Sequence, residues 1–106
     1  MRDEIINEIV SGLKLPPAIA AKLLNQYLET LPKDVAQLKE SIEEEDYQGA
    51  AKTAHSIKGA SGNLRITKIS QLAGELEQIL KSEQNVDAEK VNVMVSEIYE
   101  LTKQLV

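Results

Sequence analysis

The feature that most limits how this chain can fold is a single stripe of apolar residues. Leu24, Leu28, Leu31, Val35, Leu38 and Ile42 follow one another at steps of 4, 3, 4, 3 and 4. Such steps gather side chains on one side of an α-helix, whereas a strand would need every second residue. A stripe of this period must be covered by a partner, as in a helical bundle. It also crosses Pro32, which removes a backbone donor and crowds the carbonyl of Leu28. Two helices separated by a break would not normally keep a common phase. The pattern therefore predicts one long helix over about residues 17–45, kinked at Pro32.

The same helical spacing recurs from end to end, and β-branched alternation is missing. Residues 3–11, with Ile5, Ile6, Ile9 and Val10, read as a short amphipathic helix ended near Gly12. Pro16-Pro17 then suits the first turn of the long helix. After Glu43-Glu44-Glu45-Asp46, another helix is expected over 47–64, stopped at Gly62-Asn63. The next, over 67–82, opens at Thr67 as N-cap and carries Ile69, Leu72, Ala73, Leu76, Ile79 and Leu80. A polar link from Ser82 to Asn85 leads to a last helix capped by Asp87, with Val91, Met94, Ile98, Leu101 and Leu105 inside. Short connections make neighbours antiparallel. The expected fold is all-α: an antiparallel up-down four-helix bundle with a short additional N-terminal helix, one domain over residues 1–106. Met1 and the self-contained length point to a free-standing protein.

Composition removes whole classes of function. There is no cysteine, so disulfides, thiolate metal sites and thiol catalysis are out. A net charge of −5 opposes binding to nucleic acid, which needs Lys and Arg against phosphates. With no Phe or Trp, an aromatic base-stacking platform is missing as well. The longest apolar run, Ala18 to Ala21, is four residues, against about 20 for a membrane span. Met1-Arg2-Asp3-Glu4 leads into mixed polar residues, so a secretory signal is not expected. The expectation is a cytoplasmic monomer that binds neither nucleic acid nor membrane.

One histidine is left to carry chemistry. At about 100° per residue, Ala50, Ala54, Ile57, Ser61 and Leu64 form the buried stripe of the helix over 47–64, with Tyr47 on its margin. His55 falls well away from that stripe, on the surface. Gly59 and Gly62 lie on its own face one and two turns on, and Ala51 lies one turn before. A glycine within a helix costs about 1 kcal/mol relative to alanine, and Gly59 is too early to be end punctuation. Either a neighbouring helix packs closely there, or small residues leave the imidazole clear for another protein's active site. Neutral imidazole, with an ordinary pKa near 6.5, is a competent nucleophile at cellular pH. Phosphoryl transfer needs positioning and charge neutralisation above all. Lys58 can bring an ammonium beside a phosphoryl group, Lys52 can do so from the other side, and Gln48 can hydrogen-bond ring or phosphate. Rival chemistries fail: one histidine without cysteine makes no metal cluster, Ser61 has no base beside it, and Gly59-Ala60-Ser61-Gly62 lacks the order of a phosphate-binding loop.

The stretch Ala54-His55-Ser56-Ile57-Lys58-Gly59-Ala60-Ser61-Gly62-Asn63-Leu64 resembles the signature of histidine-containing phosphotransfer (HPt) domains. The likeness extends over about residues 17–80, through Leu23-Leu24, Tyr27-Leu28, Pro32, Leu38, Ile42, Asp46 and Leu72 to Glu77. It implies that His55 accepts a phosphoryl group, Lys58 steadies it and Gly59 admits the partner. It further implies a phosphorelay intermediate without kinase activity, loaded reversibly by a receiver-domain aspartate and discharged to another response-regulator receiver. The partners would be such receivers, hybrid histidine kinases, or both. No cofactor is expected on the chain itself, the Mg²⁺ belonging to the receiver. Arg65 departs from the pattern, standing where many members have a second helix-ending glycine. The reading from another class is an adaptor bundle that binds a receiver or histidine kinase and carries no phosphate.

Overall fold

The computed structural model describes residues 7, 9, 11–82 and 86–105. Four helices follow in order: α1 (Pro17–Glu43), α2 (Tyr47–Asn63), α3 (Thr67–Lys81) and α4 (Ala88–Leu105). There is no strand among the described residues. Each helix packs on its successor, and α4 returns to α1, which closes an up-down four-helix bundle. The short helix expected over residues 3–11 falls largely outside the described residues. Ile9, which is described, packs half-buried against the core.

The long helix runs unbroken through Pro32, as the shared phase of its stripe predicts. Its buried set, however, is Ala20, Leu24, Tyr27, Leu31, Val35, Leu38 and Ser41, while Leu28 and Ile42 are only half-buried. Tyr27 and Leu28 stand on opposite flanks of Leu31, about 40° and 60° from it at 100° per residue, and the neighbouring helices cover the tyrosine more fully. Tyr27 takes the place the heptad pattern gave to Leu28.

Both short links use the same device. Beyond α1, Asp46 N–H donates to the Ser41 carbonyl at 2.8 Å and Glu45 N–H to Ile42 at 3.0 Å. Beyond α2, Ile66 N–H donates to Ser61 at 2.8 Å and Arg65 N–H to Gly62 at 3.0 Å. These are Schellman pairings, which require a left-handed residue between the two donors' helix and the next. Glu45 (φ 59°) and Arg65 (φ 58°) supply it, although glycine is the usual choice. Arg65 thus keeps the turn geometry that a glycine would give, at a backbone cost of about 1 kcal/mol.

Asp46 caps α2, its Oδ1 accepting from Gly49 N–H at 3.0 Å. Asp87 does the same for α4 through Lys90 N–H at 3.2 Å. Thr67 does not cap α3: Ile66 is the N-cap, without a side-chain bond, and the Thr67 hydroxyl turns back to the Arg65 carbonyl at 3.3 Å. The Schellman turn sets where α3 begins, one residue earlier than the cap preference of threonine suggested.

The most intimate pairing is α2 with α3. Ala50, Ala51 and Ala54 on α2 and Ala73 on α3 are all buried, and small side chains let the two backbones approach. Ala51 is therefore largely buried, although it still lines the groove beside His55. Between α1 and α2, the Tyr27 hydroxyl and Ser61 Oγ share a buried hydrogen bond of 2.7 Å. This bond gives the polar Ser61, wholly buried, a partner inside the core.

Candidate functional site

His55 stands on the outward side of α2, its side chain 69% exposed, as the helical projection predicts. It is not isolated. Its Nδ1 lies 3.0 Å from Oε2 of Glu77, a residue of α3 whose side chain is only 3% exposed. An ionised carboxylate can only accept, so Nδ1 carries the proton and donates it. The other ring nitrogen, Nε2, is then left with its lone pair free.

Glu77 gathers three cationic or donating groups. Lys81, one turn on along α3, reaches Oε2 at 2.8 Å. Lys58 stands 4.0 Å from Oε1. The Lys81 hydrogen bond is the main reason that the Glu77 carboxyl is held below its ordinary 4.5, with burial opposing it and the charges of Lys81 and His55 adding to it. A buried carboxylate of this kind holds its charge because donors surround it.

The groove beside the histidine runs between α2 and α3. Gln48, Lys52 and Ser56 line it with His55 on one side, Glu77 and Lys81 on the other, and Ala51 and Leu80 form its apolar floor. Gln48 and Lys52 are exposed and border the groove. Gly62 lies elsewhere, in the next groove along, with Lys58, Arg65, Ser70 and Gly74. The two explanations offered by the sequence for Gly59 now separate. Nothing lies within 4 Å of the position a Cβ would take there, so no neighbouring helix demands a glycine. Its bare surface faces outward.

Sequence reasoning placed His55, Lys58 and Gly59 on one accessible region but missed the working partnership of Glu77. A signal for it was present. Ile69, Ala73, Glu77 and Leu80 follow at steps of 4, 4 and 3, which puts a carboxylate in the apolar stripe of α3. A buried acid needs a partner. Helical period alone could not say which one, since 22 residues separate it from His55.

The scaffold is a four-helix bundle that presents one exposed imidazole, held by a buried carboxylate of the neighbouring helix. A family model described as Hpt domain matches residues 22–105, and the chain belongs to that family. Membership implies a histidine phosphotransfer role in two-component phosphorelays, and such domains are phosphocarrier modules that interact with receiver domains and kinases. No curated protein and no solved structure matches the chain. No helix of the described residues is long and apolar enough to cross a membrane.

Proposed function

We propose that His55 reversibly accepts a phosphoryl group from the aspartyl phosphate of one receiver domain and passes it to the aspartate of another. The Nε2 lone pair attacks phosphorus, an N–P bond forms, and the P–O bond to the receiver's aspartate breaks with that carboxylate leaving. Because Nδ1 keeps its proton, the ring gains a positive charge in this step. Glu77 lies 3.0 Å away to stabilise that charge, much as a buried carboxylate steadies the imidazolium of a catalytic triad. Transfer back to a receiver is the same path reversed.

In this reading Lys58 neutralises the incoming phosphoryl oxygens from one side of the ring. Lys52 and Gln48 support it from the groove on the other. Gly59 leaves room for the receiver, and Gly62 keeps the end of the helix slim. Mg²⁺ and the acceptor aspartate belong to the receiver, and the chain needs no cofactor or kinase activity of its own. The observation that carries the reading is the exposed imidazole whose inner nitrogen is tied to a buried carboxylate, leaving the outer one available.

The test is incubation with a phosphorylated receiver. Wild type should acquire an acid-labile, alkali-stable phosphoryl adduct, and His55→Gln should acquire none while keeping its helicity. Labelling of His55→Gln would overturn the assignment. A wild type that binds the receiver but takes no label would leave the adaptor reading in its place.

A further inference from the structure

Gly74 sits in the middle of α3, a position where glycine weakens a helix. No backbone requirement explains it, since no described glycine takes a positive φ. What lies over it is Lys58. A Cβ built on Gly74 would come 3.4 Å from Cδ, 3.6 Å from Cε and 3.9 Å from Cγ of that lysine. Three consecutive methylenes therefore cross the bare Cα. The lysine backbone is tied to the same helix, its carbonyl accepting from Ser70 Oγ at 3.1 Å. With root and stem both laid along α3, the ammonium ends 4.0 Å from Oε1 of Glu77. It stands across the carboxylate from the oxygen that holds His55.

A free lysine stem samples many rotamers, and holding it in advance spares the transfer step that loss. A side chain longer than a methyl at position 74 would need the volume the stem now fills.

We propose that Gly74 is a positioning residue for phosphoryl transfer, its bare Cα being the bed on which the Lys58 stem lies so that the ammonium stands beside the His55–Glu77 pair. The inference rests on Lys58 neutralising the phosphoryl group, as proposed above. Gly74 touches no reacting atom and acts through Lys58 alone.

The test is single-turnover transfer from a phosphorylated receiver to wild type, Lys58→Ala, Gly74→Ala, Gly74→Leu and the double variant Gly74→Leu/Lys58→Ala. Loss of one exposed cationic partner should slow transfer about tenfold, less than the loss of a buried oxyanion donor. Gly74→Leu should slow it nearly as much as Lys58→Ala, with an unchanged or higher Tm because leucine favours helix. Gly74→Ala, whose Cβ meets the stem at contact distance only, should transfer close to wild type, and the double variant should lose no more than Lys58→Ala. In the wild-type protein, independently of any variant, nuclear Overhauser contacts should join the Gly74 α-protons to the Lys58 δ- and ε-protons. Fast transfer by Gly74→Leu beside slow transfer by Lys58→Ala would overturn the role of Gly74, as would multiplying losses in the double variant or missing Overhauser contacts. Fast transfer by Lys58→Ala would overturn the role of the lysine and Gly74's with it, while the label on wild type and its absence from His55→Gln would still stand for the carrier.

Discussion

The imidazole of His55 donates from Nδ1 to Oε2 of Glu77 across 3.0 Å, which joins an exposed ring to one of the most buried side chains of the bundle. Removing the carboxylate removes both the tautomer choice and the charge that steadies the ring. Glu77→Ala should slow transfer on the order of tenfold or more, the usual scale for a lost orienting partner. Glu77→Gln, whose amide oxygen still accepts from Nδ1–H, should fall between it and wild type. ¹⁵N spectra of the imidazole check the cause: the proton should sit on Nδ1 in wild type and spread over both nitrogens in Glu77→Ala. A proton on Nε2 in the wild-type protein would contradict the mechanism.

Acid should weaken the bundle through the same residue. The folded carboxyl of Glu77 lies below its ordinary 4.5, so the unfolded chain binds the proton first as pH falls. The stability this group contributes is complete above the unfolded value and is lost as pH drops through the folded one. Glu77→Gln should therefore flatten the fall in stability below about pH 4.5, measured by urea titration at a series of pH values. An equal acid slope in both proteins would remove Glu77 from the account.

Gly59 should separate stability from partner access. Nothing within the chain meets a side chain there, so Gly59→Gln should gain the helix stability that glycine forgoes, about 0.5–1 kcal/mol. The added side chain stands where a receiver must close on His55. The expected result is a raised Tm together with a higher KM for the phosphorylated receiver. A higher Tm with unaltered transfer would mean that the partner approaches from another side.

The Tyr27–Ser61 bond, 2.7 Å long, ties α1 to α2 in the core. Tyr27→Phe leaves the buried Ser61 hydroxyl without its partner and should cost about 1–3 kcal/mol. Adding Ser61→Ala should recover much of that loss, because the unpaired hydroxyl goes with it. Burial pushes the phenol of Tyr27 up to about 12, against the lowering effect of the Ser61 bond, from its ordinary 10.0. The folded state then binds the proton more tightly, so stability should fall as pH rises between those values and should do so less in Tyr27→Phe. Thermal unfolding of wild type, Tyr27→Phe and Tyr27→Phe/Ser61→Ala at neutral and alkaline pH decides both points.

Much of this architecture was legible because helices are local. The phase of Leu24, Leu31, Val35 and Leu38 carried one helix through Pro32, and Asp87 marked a helix start that the structure has. Reading went astray where a neighbour decided the outcome. Thr67 lost its cap to the turn held by Ser61 and Ile66, and Tyr27 replaced Leu28 in the core.

By itself the sequence determined the helices, their order, and that His55 stands outside the core stripe of its own helix beside Lys58 and Gly59. Those properties follow from side-chain spacing along one chain segment, which helical geometry converts directly into a face. Only the tertiary structure decided what the histidine touches. Glu77 is 22 residues away, and its meeting with His55 depends on how closely α2 and α3 pack and in what register. That distance and register come from the small residues at the contact and from the turn at Arg65, acting together. No periodicity within either helix records them, because a period fixes angle around one axis and not the offset between two.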